Sequence, residues 1–173
     1  MIPIPMPRIK HDIIIGIDPD VKGSGLAILK DRVMSTRRIY LPELVDLLRS
    51  YSKRSDVVVV VEAGWLNPGN QHLKGDESAR YSSKIGENIG RCHEIGRQIL
   101  EFCKYFELSC VEKFPLKKVW HTTTGKISHK EMMLLCKGSK VEYRFETKDQ
   151  EQRDAALIAL DHSNIAMIMA PQK

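Results

Sequence analysis

The sequence predicts a mixed α/β fold: a five-stranded mixed sheet, its first three strands antiparallel, flanked by helices on both faces. Three observations predict it. Short apolar segments separated by turn residues fill residues 13–39, the pattern of a meander. The run Val57 to Val61 has the unbroken β-branched character of a strand covered on both sides. Segments with apolar residues three and four apart stand before and after that run, as helices crossing over a sheet would require.

The elements follow in order. Residues 13–18 (IIIGID) read as a strand, and residues 23–29 as a second, joined by the turn PDVKGSG. Asp31 and Arg32 turn the chain into a third strand over 33–39. LPELVDLLRSY is apolar at 41, 44, 45, 47, 48 and 51 and carries Pro42 in its first turn, so it reads as a helix. Residues 56–62 form the fourth strand. The polar stretch 64–78, with Pro68 and three glycines, is a loop of the length that often carries function. A helix over 79–106 follows, with a stripe of Ile85, Ile89, Cys92, Ile99, Cys103 and Phe106. Gly86, Gly90 and Gly96 each cost that helix about 1 kcal/mol, which points to close backbone packing. Residues 108–114 give a fifth strand. PLKKVWHTTTG and SHKEMMLLC read as two short helices around Gly125, and 149–166 as the last helix. This order is the outline of the ribonuclease H-like fold.

Bulk properties agree with one folded unit. The chain has 173 residues, 42% hydrophobic and 28% charged, which excludes a disordered chain. Residues 1–11 (MIPIPMPRIKH) read as a tail and 12–173 as a single domain; the tail lacks the apolar segment of a signal peptide. No apolar run is long enough to span a bilayer, so no membrane partner is expected. Cysteines stand at 92, 103, 110 and 136 without a C-x-x-C pair, which favours free thiols in a reducing, cytoplasmic setting. A net charge of +5 suits a polyanionic partner.

Four acids interrupt this pattern. Asp18 closes an apolar strand, Glu62 closes the valine run, and Glu151 and Asp154 share a face of the last helix. Each has a plainer reading alone. Asp18 before Pro19 can open a turn, Glu62 can point to solvent, and Glu151 and Asp154 can favour the helix dipole. Together they fall at one predicted end of the sheet. Converging carboxylates repel one another and raise each other's pKa. Hard divalent cations relieve that conflict, and an all-oxygen set suits Mg²⁺ or Mn²⁺. Two such ions about 3.5–4 Å apart can grip a phosphodiester and activate a water. Asp18 would be the bridging ligand.

The segments GIDPDVKGSGLAI, VVVVVEAGW and EQRDAALIAL resemble the RuvC-type Holliday junction resolvases. SSKIGENIGRCHEIG is similar to that family's glycine-containing helix, and PLKKVWHTTTGKISHKEMM to its Pro-x-x-Val-Lys…Thr-Gly…Lys segment. The likeness spans residues 13–163. It implies a homodimer that binds four-way DNA junctions and makes symmetric paired nicks by metal-dependent hydrolysis. Two Mg²⁺ ions per site are implied, with Mn²⁺ able to substitute. By position, Asp18, Glu62, Glu151 and Asp154 match the family's metal-binding acids. Lys130 matches the lysine after its Thr-Gly turn, and so becomes a candidate catalytic residue. Two departures stand out: Asp20 where the family prefers glycine, and Glu151 where it uses Asp or His.

The same likeness puts an aromatic at Trp65, where it can stack on a base at the junction centre; capping of the core is the competing reading. Tyr81 and Leu66 are weaker candidates. Lys74, Arg80, Lys84 and Arg91 flank the long loop, and Lys113, Lys117, Lys118, Lys126 and Lys130 form a second basic group, with His129 beside it. Facing the carboxylate end, these would hold phosphates with little sequence preference. The Gly86–Gly96 helix is a candidate dimer surface, since symmetric nicking needs a two-fold axis. Competing readings are a nuclease of the same fold acting on other branched DNA or RNA–DNA hybrids, a non-catalytic junction-binding protein, and an actin-like phosphotransferase. The last would need a second nucleotide-binding half, which this length does not hold.

Overall fold

The computed structural model describes residues 11–67, 79–145 and 149–163, with the side chains of 79–82 and 145 outside the description. The expected tail therefore lies outside it except for His11. The strands are β1 (Ile13–Asp18), β2 (Ser24–Lys30), β3 (Val33–Ile39), β4 (Val57–Glu62), β5 (Ser109–Lys113) and β6 (Glu142–Phe145). The helices are α1 (Leu41–Ser50), α2 (Ala79–Tyr105), α3 (His129–Gly138) and α4 (Gln150–His162), with a short 3₁₀ turn at Gly64–Leu66.

The sheet order is β5-β4-β1-β2-β3-β6. β1, β2 and β3 form the antiparallel meander, β4 joins β1 in parallel, and β5 joins β4 in parallel. These five strands are consistent with a ribonuclease H-like arrangement. The sixth corrects the expected count. β6 pairs parallel to the outer side of β3, with Val33 opposite Glu142. It is four residues long and carries an exposed Glu142–Arg144 ion pair, so it lacks the apolar run that marks an inner strand.

Strand periodicity divides the core in two. Ile13, Ile15 and Ile17 of β1 and Val57, Val59 and Val61 of β4 pack on Leu44 and Leu48 of α1, on Ile99 and Cys103 of α2 and on Phe106 just after it. Ile14 of β1 and Val58 and Val60 of β4 face the opposite side, against Met132 and Leu135 of α3 and Ala155, Ile158 and Ala159 of α4. Helices therefore cover both faces, as expected. α1 is held at its start by Pro42 and by the Glu43 carboxylate, which accepts the Tyr40 amide at 3.2 Å. Among the described residues no helix is long and apolar enough to cross a membrane.

Three local expectations change. Residues 115–125 form no helix; the Trp120 amide donates to Gly125 O at 3.1 Å and the Gly125 amide to Thr122 O at 2.9 Å, closing a turn at a positive φ of 70°. α4 begins at Gln150, with Asp149 as its cap accepting the Glu151 amide at 3.1 Å; the expected stretch beyond residue 163 lies outside the described residues. In α2, Gly96 meets the Trp65 ring, whereas among the described residues nothing lies within 4 Å of where a Cβ at Gly86 or Gly90 would stand. Close packing thus explains one of the three glycines. Ile85, Ile89 and Cys92 are only half-buried; Ile89 and Cys92 line an open groove rather than the closed core.

Candidate active site

Parity fixes where the first two acids point. Residues 14, 16 and 18 of β1 share the α4 face, as do 58, 60 and 62 of β4. The parallel register pairs Ile17 with Val61, so Asp18 and Glu62 leave adjacent strand ends on the same side. Apolar sheet becomes paired carboxylate within one residue.

α4 reaches them because two glycines let it lie directly on the sheet. A Cβ at Gly16 would collide with the Ala155 carbonyl, and one at Gly25 with the Glu151 carbonyl. Gly25 is the β2 partner of Asp18. The first turn of α4 therefore rests on the strand beside Asp18, which brings Glu151 and Asp154 over it. The buried Thr36 hydroxyl and Gln152 amide oxygen, 3.0 Å apart, pin the same turn to β3. Arg38 of β3 adds an ion pair to Asp149 at 3.8 Å.

The four carboxylates share the wall of a groove of about 1200 Å³, with Lys117, Lys118 and Lys126 on its rim. Burial pushes the Asp18 carboxyl well above the usual carboxylate range, and the charges of Glu62, Glu151 and Asp154 push it further, together with a side-chain hydrogen bond to Glu151. Glu62 is raised too, by burial and then by Asp154, against the opposing pull of a backbone hydrogen bond at Leu116 and the charges of Lys126 and Lys118. Lys126 is the main internal relief. Its Nζ donates to Asp154 Oδ2 at 2.8 Å, and Gln150 Nε2 donates to Asp154 Oδ1 at 2.7 Å. Burial opposes the Lys126 charge, but the Asp154 hydrogen bond and the fields of Asp154, Glu151 and Asp18 outweigh it and hold the ammonium above its ordinary pKa.

The donor set fits a hard divalent cation: all four groups are carboxylates, and their mutual repulsion is what a cation would cancel. Among the described residues, no three His, Cys, Asp or Glu side chains are already drawn into a coordination cage. Both Asp154 oxygens are engaged by Lys126 and Gln150 instead.

The remaining candidates distribute unevenly. Lys130, expected beside the carboxylates, lines a separate apolar groove with Met133, Leu134 and Val141. The reason is local. Ser128 caps α3 through the Glu131 amide at 3.2 Å, and the Glu131 carboxylate accepts the Ser128 amide at 2.8 Å, so residue 130 emerges exposed on the helix surface. His129, half-buried at the helix start, does not line the carboxylate groove. Lys113 is ion-paired to Asp161. Lys84 and Arg91 are exposed on the first half of α2. Lys74 and the side chains of Arg80 and Tyr81 lie outside the described residues.

Trp65 lines the groove but is firmly seated. Its ring fills the space at Gly96, its Nε1 donates to Glu112 Oε2 at 3.0 Å, the Arg97 guanidinium lies 5.5 Å from its centroid, and His93 meets it edge-on. Leu66 sits half-buried in the same 3₁₀ turn. Asp20 is turn chemistry: Oδ1 accepts the Lys22 amide at 2.7 Å, and its own amide donates to Ser24 Oγ at 3.2 Å. Its Oδ2 faces Cys92 Sγ at 3.9 Å. All four cysteines are free, and burial pushes the Cys103 thiol up to about 12.

Sequence reasoning missed Gln150, although it stands four residues before Asp154 on one helix face. It also missed Arg153, whose Nε donates to Ile127 O at 3.1 Å and fastens the Lys126 segment to α4. Lys126 was expected only as a phosphate contact, not as the partner of an acid.

No family model and no curated protein matches this chain. Among solved structures, it is similar to the Thermus thermophilus RuvC in complex with a Holliday junction substrate, at 14% identity and a TM-score of 0.48, covering 88% of this chain and 93% of that one. It is also similar to a Thermus thermophilus RuvC structure at 16% identity and a TM-score of 0.45, covering 87% and 93%.

Proposed function

We propose that this protein is a divalent-metal-dependent endonuclease that nicks four-way DNA junctions in symmetric pairs. One observation carries the reading: carboxylates from three separate elements, Asp18, Glu62 and the Glu151/Asp154 pair, line one groove whose rim is basic. A buried acid cluster of this kind destabilises a fold that makes no use of it. The motif resemblance over residues 13–163 directs the substrate to branched DNA.

Asp18, Glu62, Glu151 and Asp154 would hold two Mg²⁺ ions, or Mn²⁺. Such ions activate water and stabilise the leaving oxygen of a phosphodiester. Lys117, Lys118 and Lys126 present donors to the phosphate backbone at the groove rim, while Lys84 and Arg91 extend the basic surface along α2. A homodimer supplies the second site that paired nicking needs.

The test is Asp18→Asn. It keeps the shape of the strand end but loses the charge that would hold the metal. It should bind a synthetic four-way junction as wild type does, and fail to cut it in Mg²⁺. Cutting at the wild-type rate would remove the metal-site reading.

A further inference from the structure

Among the described residues, Asp154 is the acid of the cluster that is ion-paired to a cation of the protein itself. Lys126 Nζ lies 2.8 Å from Oδ2, with the lysine side chain one-third exposed and the aspartate less than one-fifth exposed. The contact is built. Thr122 Oγ1 donates to Lys126 O at 2.5 Å, and Arg153 of α4 donates to the next carbonyl, Ile127 O. Glu131 accepts the His121 amide at 3.0 Å while it caps α3, so the loop bearing Lys126 is fastened at both ends.

We propose that Lys126 is a resident counter-cation that occupies Asp154 in the metal-free protein and must yield it to a divalent ion. This deepens the metal-dependent reading of the same site and rests on it. A carboxylate oxygen that accepts an ammonium at 2.8 Å has little room for a second cation on that lone pair. An ion that takes this position on Oδ2 would have to displace the ammonium. The released ammonium stays tethered in the groove, among Lys117 and Lys118, where a phosphate arrives. Metal loading and phosphate binding are thereby linked: the ion that takes Asp154 frees a donor for the backbone.

The test uses Mn²⁺ alone, titrated calorimetrically into the full chain and into Lys126→Met, Lys126→Arg and Lys118→Met, with thermal unfolding in chelator and in Mn²⁺. Lys126→Met should bind Mn²⁺ about tenfold more tightly, since a cation competing at contact distance is gone. It should also unfold at lower temperature in chelator and gain more from Mn²⁺ than wild type does. Lys126→Arg, which keeps the cation, should hold wild-type stability in chelator and bind Mn²⁺ no more tightly than wild type. Lys118→Met controls for removing a rim charge without touching Asp154, and should change affinity far less. Unchanged or weaker Mn²⁺ binding by Lys126→Met overturns the proposal, as does equal tightening in Lys118→Met. Should neither wild type nor Lys126→Met bind Mn²⁺, the metal-dependent reading falls as well, a result distinct from equal binding by both.

Discussion

Gly25, the β2 partner of Asp18, lies directly beneath the carbonyl of Glu151. The contact sets the distance between the strand end and the first turn of α4, and so sets the spacing of the acid cluster. Gly25→Ala would drive a methyl group into backbone that has no rotamer to give way. It should cost about 1–3 kcal/mol of stability in urea unfolding. Cleavage in Mg²⁺ should fall further than the loss of folded protein explains, because Glu151 and Asp154 move together. Wild-type cleavage by a destabilised Gly25→Ala protein would show that α4 need not sit this close.

Asp18 pays a folding penalty for its surroundings. Its folded-state pKa is raised above the ordinary 3.8, so the native state holds the proton more tightly than the unfolded chain. Stability contributed by this group therefore falls as pH rises from about 3.8 through the raised value. Asp18→Asn should be more stable than wild type in chelator at neutral pH, and the gain should vanish below the ordinary value. Added Mn²⁺ should stabilise wild type and leave Asp18→Asn largely unmoved. Thermal unfolding across pH, with and without Mn²⁺, checks both signs.

Trp65 is part of the wall before it is anything else. Its ring fills the gap at Gly96 and its indole N–H is bonded to Glu112. Trp65→Ala should cost about 2 kcal/mol in the absence of DNA, below the range for a fully buried tryptophan because the ring is half-buried. Trp65→Phe should recover most of that. Should Trp65→Ala unfold like wild type yet bind the junction poorly, base stacking would be its main role.

Glu131 ties three groups together: the Ser128 amide, the Ser128 hydroxyl and the His121 amide. Glu131→Ala should lose about 1 kcal/mol through the broken capping box. It should also speed amide hydrogen exchange at His121 and Ser128 more than in β1 or β4. Uniform exchange changes would mean that the loop is not held from this point.

The central sheet was legible because its signals are dense. The valine run and the IIIGID strand put alternation and β-branching where only a covered strand accommodates them, and the acids at 18 and 62 broke that pattern at equivalent places. α4 announced its sheet-facing side through Ala155 and Ala156. The edge was overlooked: Val141, Tyr143 and Phe145 alternate with Glu142 and Arg144, but β6 is only four residues long, carries two charges and pairs with β3 alone, so the signal is brief. The segment 115–125 has apolar residues at helical spacing, but its turn hydrogen bonds at Trp120 and Gly125 win over that weak periodicity. Lys130 and Lys126 show a different limit. A motif fixes the order of residues but not the capping box that rotates one lysine away and leaves another on Asp154. Likewise the glycines of α2 looked alike in sequence, and among the described residues Gly96 alone of the three has a neighbour that needs it.

The central claim is that one metal-dependent site on this chain cuts branched DNA in paired fashion. The most direct measurement is the product pattern on a synthetic four-way junction, each strand labelled in turn, in Mg²⁺ and in chelator, with linear duplex of the same sequence as competitor. The account predicts nicks at symmetric positions on two opposing strands, dependent on Mg²⁺ and little reduced by the duplex. Cleavage that persists in chelator, or equal cutting of junction and linear duplex, would contradict it.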